Sequence, residues 1–204
     1  MKWALPAADT YFAKHMTERG FEVDHLDRAL EHVTSFRTAI DGGAHVGSWA
    51  VAMAQRFTCV HAFEPAQDTF ACLVKNTVDV PNVRVWNLAL GASQMKVRIG
   101  DDLTRQGNTG ARFVQDGDQT SMIRIDDLTL PDVDLLKLDI ESYEYFALLG
   151  AVDTMMRCKP IVVIEEKDFK QRFGLPRTAA SDFLKTLGAK EIGRVRNDCI
   201  FAFR

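Results

Sequence analysis

Apolar and polar positions follow one another in blocks that predict strands alternating with helices. Five short apolar runs predict strands, at 36–40, 59–63, 83–90, 133–138 and 160–164. The clearest helix is predicted by apolar residues on one helical face, at 46, 49, 50, 53, 54 and 57. Alternating strands and helices indicate an α/β fold with a doubly wound, mostly parallel, Rossmann-like sheet. Ligands bind such sheets at the carboxyl ends of their strands.

The two ends of the chain carry different patterns. Near the N-terminus we expect a short helix over 10–19 and a second helix with Asp24 as its N-cap. A helix is also expected after 141, ending at 149. At the C-terminus, strands at 191–196 and 199–203 flank Asn197-Asp198, which predicts an antiparallel hairpin. We therefore expect one domain over 1–204, with N-terminal helices in 1–35 and the Rossmann-like core in 36–204.

The segment 91–121 breaks the alternation. It contains five glycines among many polar residues, so no long helix fits there. Short strands at 96–99 and 121–125 around a loop are expected instead. A segment of this length within a compact fold is often functional, and we expect it to face the substrate.

Composition limits the possible classes of protein. The chain has 204 residues, 47% of them hydrophobic and 26% charged, so it can bury a core and is not disordered. Its net charge of −3 argues against a nucleic-acid-binding module, although residues 157–204 hold 11 basic and 6 acidic residues. The four cysteines have no zinc-binding or disulfide pattern, which favours reduced thiols. No leader and no membrane-length apolar run is visible, so we expect a cytoplasmic protein without membrane contact.

The most informative motif is Asp41-Gly42-Gly43-Ala44-His45-Val46-Gly47, between a predicted strand and a predicted helix. Glu64 follows 23 residues after Asp41, at the end of the next strand, where a carboxylate can accept both hydroxyls of a ribose. A P-loop is excluded because Gly-Lys-Ser/Thr is missing, and a dinucleotide fingerprint is disfavoured because Ala44 stands where it needs glycine. The charge of Asp41 favours a cationic ligand such as S-adenosylmethionine over pyrophosphate. The alternative is a tight strand–helix turn without a ligand.

Four segments carry a resemblance to a known family: 40–47, 60–65 continued by Phe70, Leu73 and Asn76, 87–91, and 135–141 followed by 160–165. Over roughly 38–166 the sequence resembles the FkbM-type family of class I S-adenosylmethionine-dependent methyltransferases. The resemblance implies the class I fold, S-adenosylmethionine as cofactor, S-adenosylhomocysteine as product, and O-methylation of a hydroxyl on a small glycan or metabolite. Two positions depart from the family pattern: His45 stands where Asn is usual, and Ser142 where Gly is usual.

The resemblance also implies a cofactor site. Residues 41–47 would hold the methionine part, Glu64 the ribose, and Asn87 and Ala89 would lie near the adenine. The full predicted set is Asp41, Gly42, Gly43, Ala44, His45, Val46, Gly47, Glu64, Pro65, Asn87, Ala89 and Asp139.

Candidate general bases lie on the predicted strand that ends near residue 139. Lys137, Asp139 and Glu141 share one parity, so their side chains point to one side, and we expect Lys137 to pair with Asp139 and keep it ionised. That pair could instead be purely structural. Asp139 is the first candidate base and Glu141 the second. His45 is the third, because an imidazole at a helix N-terminus tends to stay neutral.

Further charges follow these strand ends. Asp139, Glu141, Glu165 and Glu166 could bind Mg²⁺, but solvated charges at strand ends explain them more simply. The basic residues Lys167, Lys170, Arg172 and Arg177 come next, either as a solvated face or as contacts for an acidic acceptor. We expect a small-molecule or glycan acceptor rather than nucleic acid, and the sequence leaves the oligomeric state open. An RNA methyltransferase and a non-catalytic S-adenosylmethionine-binding protein are the alternatives.

Overall fold

A computed structural model describes residues 2–167 and 170–203. The strands are β1 (Thr38–Gly42), β2 (Cys59–Phe63), β3 (Val83–Trp86), β4 (Ala89–Leu90), β5 (Met95–Gly100), β6 (Phe113–Asp116), β7 (Thr120–Ile123), β8 (Leu135–Leu138), β9 (Ile161–Glu165), β10 (Ala189–Val195) and β11 (Asp198–Phe203). The helices are α1 (Phe12–His15), α2 (Val23–Leu30), α3 (Ser48–Met53), α4 (Gln67–Thr77), α5 (Glu144–Leu149), α6 (Val152–Cys158), α7 (Lys170–Phe173) and α8 (Ala179–Thr186). Two short 3-10 helices cover Thr109–Ala111 and Ile125–Leu128.

Seven strands form the main sheet, in the order β10-β11-β9-β8-β1-β2-β3. All neighbouring pairs from β9 to β3 are parallel, whereas β11 is antiparallel to both β9 and β10. The predicted α/β fold with a mostly parallel sheet and a C-terminal antiparallel hairpin is therefore confirmed. Because β1 is the middle one of the five parallel strands, the loop that follows it opens at the centre of their carboxyl edge.

Both faces of the main sheet are covered by helices. Ile40, Leu136 and Leu138 pack on one face in a cluster that includes residues of α5, α6 and α8. Ala39 and Leu135 point to the other face and pack with residues of α2 and α3. The central strands are consequently buried throughout, which explains why they appear in the sequence as continuous apolar runs rather than as an alternation.

A second, four-stranded sheet has the order β4-β7-β5-β6, and the 91–121 segment supplies β5, β6 and the start of β7. The strand predicted over 83–90 is in fact divided between the two sheets, with β3 in the main sheet and β4 in the small one. The expected strands at 96–99 and 121–125 correspond to β5 and β7. Strand β6 was not predicted because it is a half-exposed edge strand without apolar alternation.

Several predicted boundaries are wrong for local reasons. The helix expected over 10–19 is only α1, and α2 starts after Glu22, which has φ 53°, so Asp24 lies in the first turn and is not the N-cap. The hairpin turn is Arg196-Asn197, since Val195 pairs with Asp198. Helix α6 was not predicted at all. Across the described part of the chain, every helix is too short or too polar to span a bilayer.

Candidate functional site

The loops at the carboxyl edge of the main sheet surround one large cavity of about 690 Å³. Seven of the predicted site residues line it: Gly43, His45, Glu64, Pro65, Ala89, Asp139 and Glu141. Six others lie behind the cavity wall: Asp41, Gly42, Ala44, Val46, Gly47 and Asn87. The topology thus brings the ends of β1, β2, β8 and β9 to one place, as parallel strands require, and β4 of the small sheet lines the same cavity.

The loop after β1 has a conformation that depends on glycine. Gly43 has φ +75°, and a Cβ added there would lie 2.0 Å from the carbonyl oxygen of Asp139. Gly47 has φ +95°. The amides of Gly43 and Ala44 donate to the carbonyl of Phe63 at 3.0 and 2.9 Å. The loop is therefore held between β2 and β8, with its backbone facing the cavity.

Glu64 is the acidic side chain that comes nearest to this loop. Its Oε2 accepts from the amide of His45 at 3.0 Å and its Oε1 from the amide of Ala66 at 2.8 Å. Burial raises the pKa of Glu64 to about 7, although these two hydrogen bonds favour the ionised form. Each carboxylate oxygen keeps a second lone pair, and Glu64 lines the cavity. The group can accept two further hydrogen bonds from a ligand.

Pro65 and Ala89 line the cavity beside Glu64, whereas Asn87 does not. The Asn87 side-chain amide donates to the carbonyls of Glu64 and Pro65, at 2.9 and 3.1 Å. In this structure Asn87 therefore holds the end of β2 in position, and the apolar part of the wall comes from Leu88 and its neighbours.

The expected pairing of Lys137 is wrong. Its Nζ lies 3.0 Å from Oδ1 of Asp41 on the neighbouring strand and donates to the carbonyl of Gly43 at 2.9 Å. Asp41 and Lys137 stand opposite each other in the β1–β8 register, which sequence parity within one strand cannot reveal. Asp41 is fully buried and neutralised by this contact, so its charge cannot select the cavity's ligand as the sequence suggested.

His45 connects the loop to two distant segments. Its ring packs against that of Phe12, tilted by 32° with centroids 4.1 Å apart, and its Nε2 lies 2.8 Å from Oγ1 of Thr109. Burial lowers the pKa of His45 to about 4. The imidazole is thus neutral at physiological pH, as expected, but its Nε2 is engaged with Thr109.

The N-terminal segment and the 91–121 segment together cover the cavity. The sequence indicated such a position for 91–121 but not for the N-terminal segment. Asp9 is buried and accepts from the amide of Phe12 at 2.7 Å and from the amide and hydroxyl of Thr109. The amides of Thr10 and Tyr11 donate to the carbonyl of Gly107 at 2.9 and 3.0 Å. These contacts join residues about 100 positions apart. The aromatic content near the N-terminus is the one sequence signal that could have indicated this cover.

An acidic cluster forms the wall at the ends of β8 and β9. Lys167 places its Nζ 3.6 Å from Asp139 Oδ1, 2.7 Å from Glu141 Oε1, and in contact with Glu165. Arg172 lies 3.2 Å from Glu141 Oε2. Asp139 is the most accessible of the three acids, with about a third of its side chain exposed, 36%, against 4% for Glu141.

The charges in this cluster are strongly interdependent. Although burial opposes it, the ammonium groups of Lys167 and Lys137 hold the pKa of Asp139 well below its usual range. Burial and the Asp139 carboxylate raise the pKa of Glu165 to about 11, so Glu165 is protonated at neutral pH. Asp139 therefore stays ionised, as expected, but Lys167 contributes more to this than Lys137 does.

Oxygen atoms of Asp139, Glu141 and Glu165 lie within 4.8 Å of one another, close enough to bind one cation. Glu166, the fourth predicted ligand of Mg²⁺, points elsewhere, to Ser181 and to Arg194 at 2.9 Å. The donor set does not fit a divalent metal as it stands, because the Lys167 ammonium already contacts all three carboxylates.

The basic residues predicted near the cavity mouth are engaged in contacts of their own. Lys167 and Arg172 contact the acidic cluster, Arg172 also pairs with Asp102 at 2.5 Å, and Arg177 donates to Asn197 at 3.2 Å. The side chain of Lys170 lies outside the described residues. These contacts weaken the expectation of a polyanionic acceptor.

Comparison with known families identifies the chain. The model of the methyltransferase FkbM domain matches residues 41–196, so the chain belongs to the FkbM methyltransferase family. This confirms the resemblance found in the sequence motifs. A comparison with curated protein sequences finds no significant match.

Solved structures share the fold at low identity. Methyltransferase FkbM from Methylobacillus flagellatus KT superposes with a TM-score of 0.55 at 18% identity, over 83% of this chain and 44% of that one. The present chain thus corresponds to less than half of that protein. Precorrin-6y C5,15-methyltransferase from Geobacter metallireducens GS-15 gives 0.53 at 15% identity, over 99% and 98% of the two chains. A candidate methyltransferase from Streptococcus mutans in complex with SAH gives 0.53 at 13%, over 88% and 95%. The fold is that of class I methyltransferases.

Proposed function

We propose that this protein is an S-adenosylmethionine-dependent methyltransferase that methylates a hydroxyl of a small glycan or metabolite. The observation that carries the proposal is the position of Glu64, a buried carboxylate on the cavity wall, hydrogen-bonded to the loop after β1. Membership of the FkbM family and the SAH complex of a structural neighbour support the choice of cofactor.

The residues around Glu64 fit the cofactor by shape and chemistry. Gly43 lines the cavity, and its missing Cβ lets the backbone carbonyl of Asp139 lie close against the loop. Glu64 can accept both ribose hydroxyls, and Pro65, Leu88 and Ala89 offer an apolar surface suited to adenine. We assign the methionine part to the loop around Gly43 and His45, facing Asp139.

The cofactor, when bound, would supply an electrophilic methyl group on sulfur for transfer to the acceptor oxygen. We assign the acceptor proton to Asp139, the most accessible carboxylate in the cluster. Because the pKa of Asp139 is low, it would take up this proton only as the acceptor oxygen becomes strongly acidic during methyl transfer. Glu141 is less suitable, because Lys167 and Arg172 already occupy both of its oxygens. His45 is less suitable too, because its Nε2 is held by Thr109.

A covered cavity suits a small acceptor better than RNA. The segment around Tyr11 and Phe12 closes one side, and Arg112 pairs with Asp68 and Asp101 rather than facing a phosphate backbone. Contacts to several phosphates need accessible cations. We therefore retain the hydroxyl of a small acceptor as the proposed target.

A methyl-transfer screen tests the function. Purified protein is incubated with methyl-labelled S-adenosylmethionine and pools of glycans, metabolites and RNA. We expect label in a small hydroxylated compound, and loss of at least about 100-fold in turnover for Asp139→Asn, the scale of general-base catalysis. The exposed Asp153→Asn serves as the matched control. If only RNA is labelled, the acceptor is RNA and the proposal of a small hydroxylated acceptor is wrong.

A further inference from the structure

The side chain of Lys167 sits in the middle of the three-carboxylate cluster. It lies two residues after the end of β9, and its ammonium contacts one acid from the end of β9 and two that follow β8. Only 18% of the side chain is exposed. An amine in this position costs desolvation energy, which is offset only when several opposite charges surround it.

The cluster has the composition of a site for a hard cation. Mg²⁺ and Ca²⁺ prefer carboxylate oxygens, and the three acids present such oxygens within 4.8 Å of one another. Here an ammonium contacts those oxygens, at 2.7 Å in the case of Glu141. Ammonium and metal cannot share this space, because both need the same lone pairs.

We infer that Lys167 is the permanent cation of this site and takes the place that a divalent metal would occupy between Asp139, Glu141 and Glu165. Lys167 then acts as a positioning residue: it fixes the Asp139 carboxylate at the cavity wall and balances the charge of the cluster. If Lys167 occupies this site, methyl transfer by this protein needs no divalent metal. Only this consequence rests on the proposed function.

The position of Arg172 supports this inference. Arg172 binds the second oxygen of Glu141 and also Asp102, in the 91–121 segment. Lys167 and Arg172 thus place two positive charges against the side chains of Asp139, Glu141 and Glu165. A divalent metal would add two further positive charges where two cationic side chains already lie.

Replacement of Lys167 should convert the ammonium site into a metal site. Mn²⁺ is titrated into chelator-treated protein and free Mn²⁺ is followed by electron paramagnetic resonance. We expect wild-type protein and Lys167→Arg to bind no stoichiometric Mn²⁺. Lys167→Met has a side chain of similar length without the charge. It should bind one Mn²⁺ per chain, with an affinity at least about tenfold higher than any residual Mn²⁺ binding by the wild-type protein. Lys185→Met, which removes an exposed lysine paired with Asp182, should behave as wild type.

Two results would overturn the inference: one Mn²⁺ bound by wild-type protein and lost in Asp139→Asn, or no gain in a folded Lys167→Met. If Lys167→Met does not fold, Lys167→Met combined with Glu165→Gln lowers the repulsion and keeps two carboxylate ligands, and the same criteria apply to it. Calorimetry with S-adenosylhomocysteine separates the two proposals: absent binding contradicts the proposed function, whereas the Mn²⁺ result stands independently of it.

Discussion

Lys137 Nζ lies 3.0 Å from Asp41 Oδ1, between adjacent strands in the centre of the sheet. Both side chains are buried, and the same ammonium donates to the carbonyl of Gly43 at 2.9 Å. One ion pair therefore supports the turn that forms the cavity floor. Its role is structural, since neither residue lines the cavity.

Removal of Lys137 should be costly. Lys137→Met leaves the Asp41 carboxylate buried without a counter-charge, and such changes destabilise by about 3–5 kcal/mol. Chemical denaturation measures the loss in the free energy of unfolding. Asp41→Asn combined with Lys137→Met should recover much of it, because no charge is left unpaired. Equal losses in the single and double variants would contradict the assignment.

Ser142 should be replaceable by glycine with a gain in stability. Its φ is +76°, and its buried Oγ has no hydrogen-bond partner among the described residues. Relief of the left-handed strain is expected to raise the free energy of unfolding of Ser142→Gly by about 1 kcal/mol, which corresponds to about 2–4 °C in thermal denaturation. Ser142→Ala removes the hydroxyl but keeps Cβ, so glycine should be the more stable of the two. A glycine variant no more stable than the alanine variant would show that the backbone is not strained.

Ligand affinity should depend on pH through Glu64, whose pKa is about 7 in the ligand-free protein. In the proposed complex two ribose hydroxyls would donate to the ionised carboxylate, so binding would release the proton that the free protein carries below this pKa. Affinity for S-adenosylhomocysteine should therefore fall about tenfold for each pH unit below about 7 and level off above it. His45 does not add to this slope near neutrality, because its pKa is about 4.

Glu64→Gln provides the control for the pH dependence. It has nearly the same shape but no titrating group, so its affinity should be weaker and show a smaller change between about pH 6 and pH 8. Isothermal titration calorimetry in two buffers of different ionisation enthalpy also counts the released proton directly. A wild-type slope that persists in Glu64→Gln would assign it to another group.

The cover over the cavity should slow ligand release. Asp9→Ala removes the acceptor for the amides of Phe12 and Thr109, which weakens the link between the N-terminal segment and the 91–121 segment. Loss of these buried hydrogen bonds is worth about 1–3 kcal/mol, so dissociation of S-adenosylhomocysteine should accelerate about tenfold or more. Surface plasmon resonance measures the rate. Asp27→Ala, at an exposed ion pair with Arg19, is the matched control. Equal dissociation rates would show that the cover does not restrain the ligand.

The main sheet could be predicted because its central strands are short apolar runs that each end in a glycine or an acid. The position of Glu64 at the cavity wall follows from this arrangement alone, since all parallel strands end at one edge. The division between β3 and β4 was missed, because Asn87 is a single polar residue between apolar neighbours on either side and one such residue does not by itself end a strand.

Contacts between distant segments account for most of what was missed. Asp9 and Thr109 meet across 100 positions without a shared motif. Lys137 pairs across strands with Asp41, where its spacing along one strand had suggested Asp139. The usual glycine of the family at position 142 and asparagine at 45 are explained by the structure, because Ser142 and His45 both have positive φ.

The most direct test of the account is calorimetric titration of wild-type protein and Glu64→Ala with S-adenosylhomocysteine. We predict one binding site per chain in the wild type, and a loss of about 1–3 kcal/mol of binding free energy in Glu64→Ala, the scale of a charge-assisted hydrogen bond. Thermal denaturation of both proteins confirms that they are folded. Absence of binding to folded wild-type protein, or equal affinity in the two proteins, would contradict the assignment of this cavity as a nucleoside site built on Glu64.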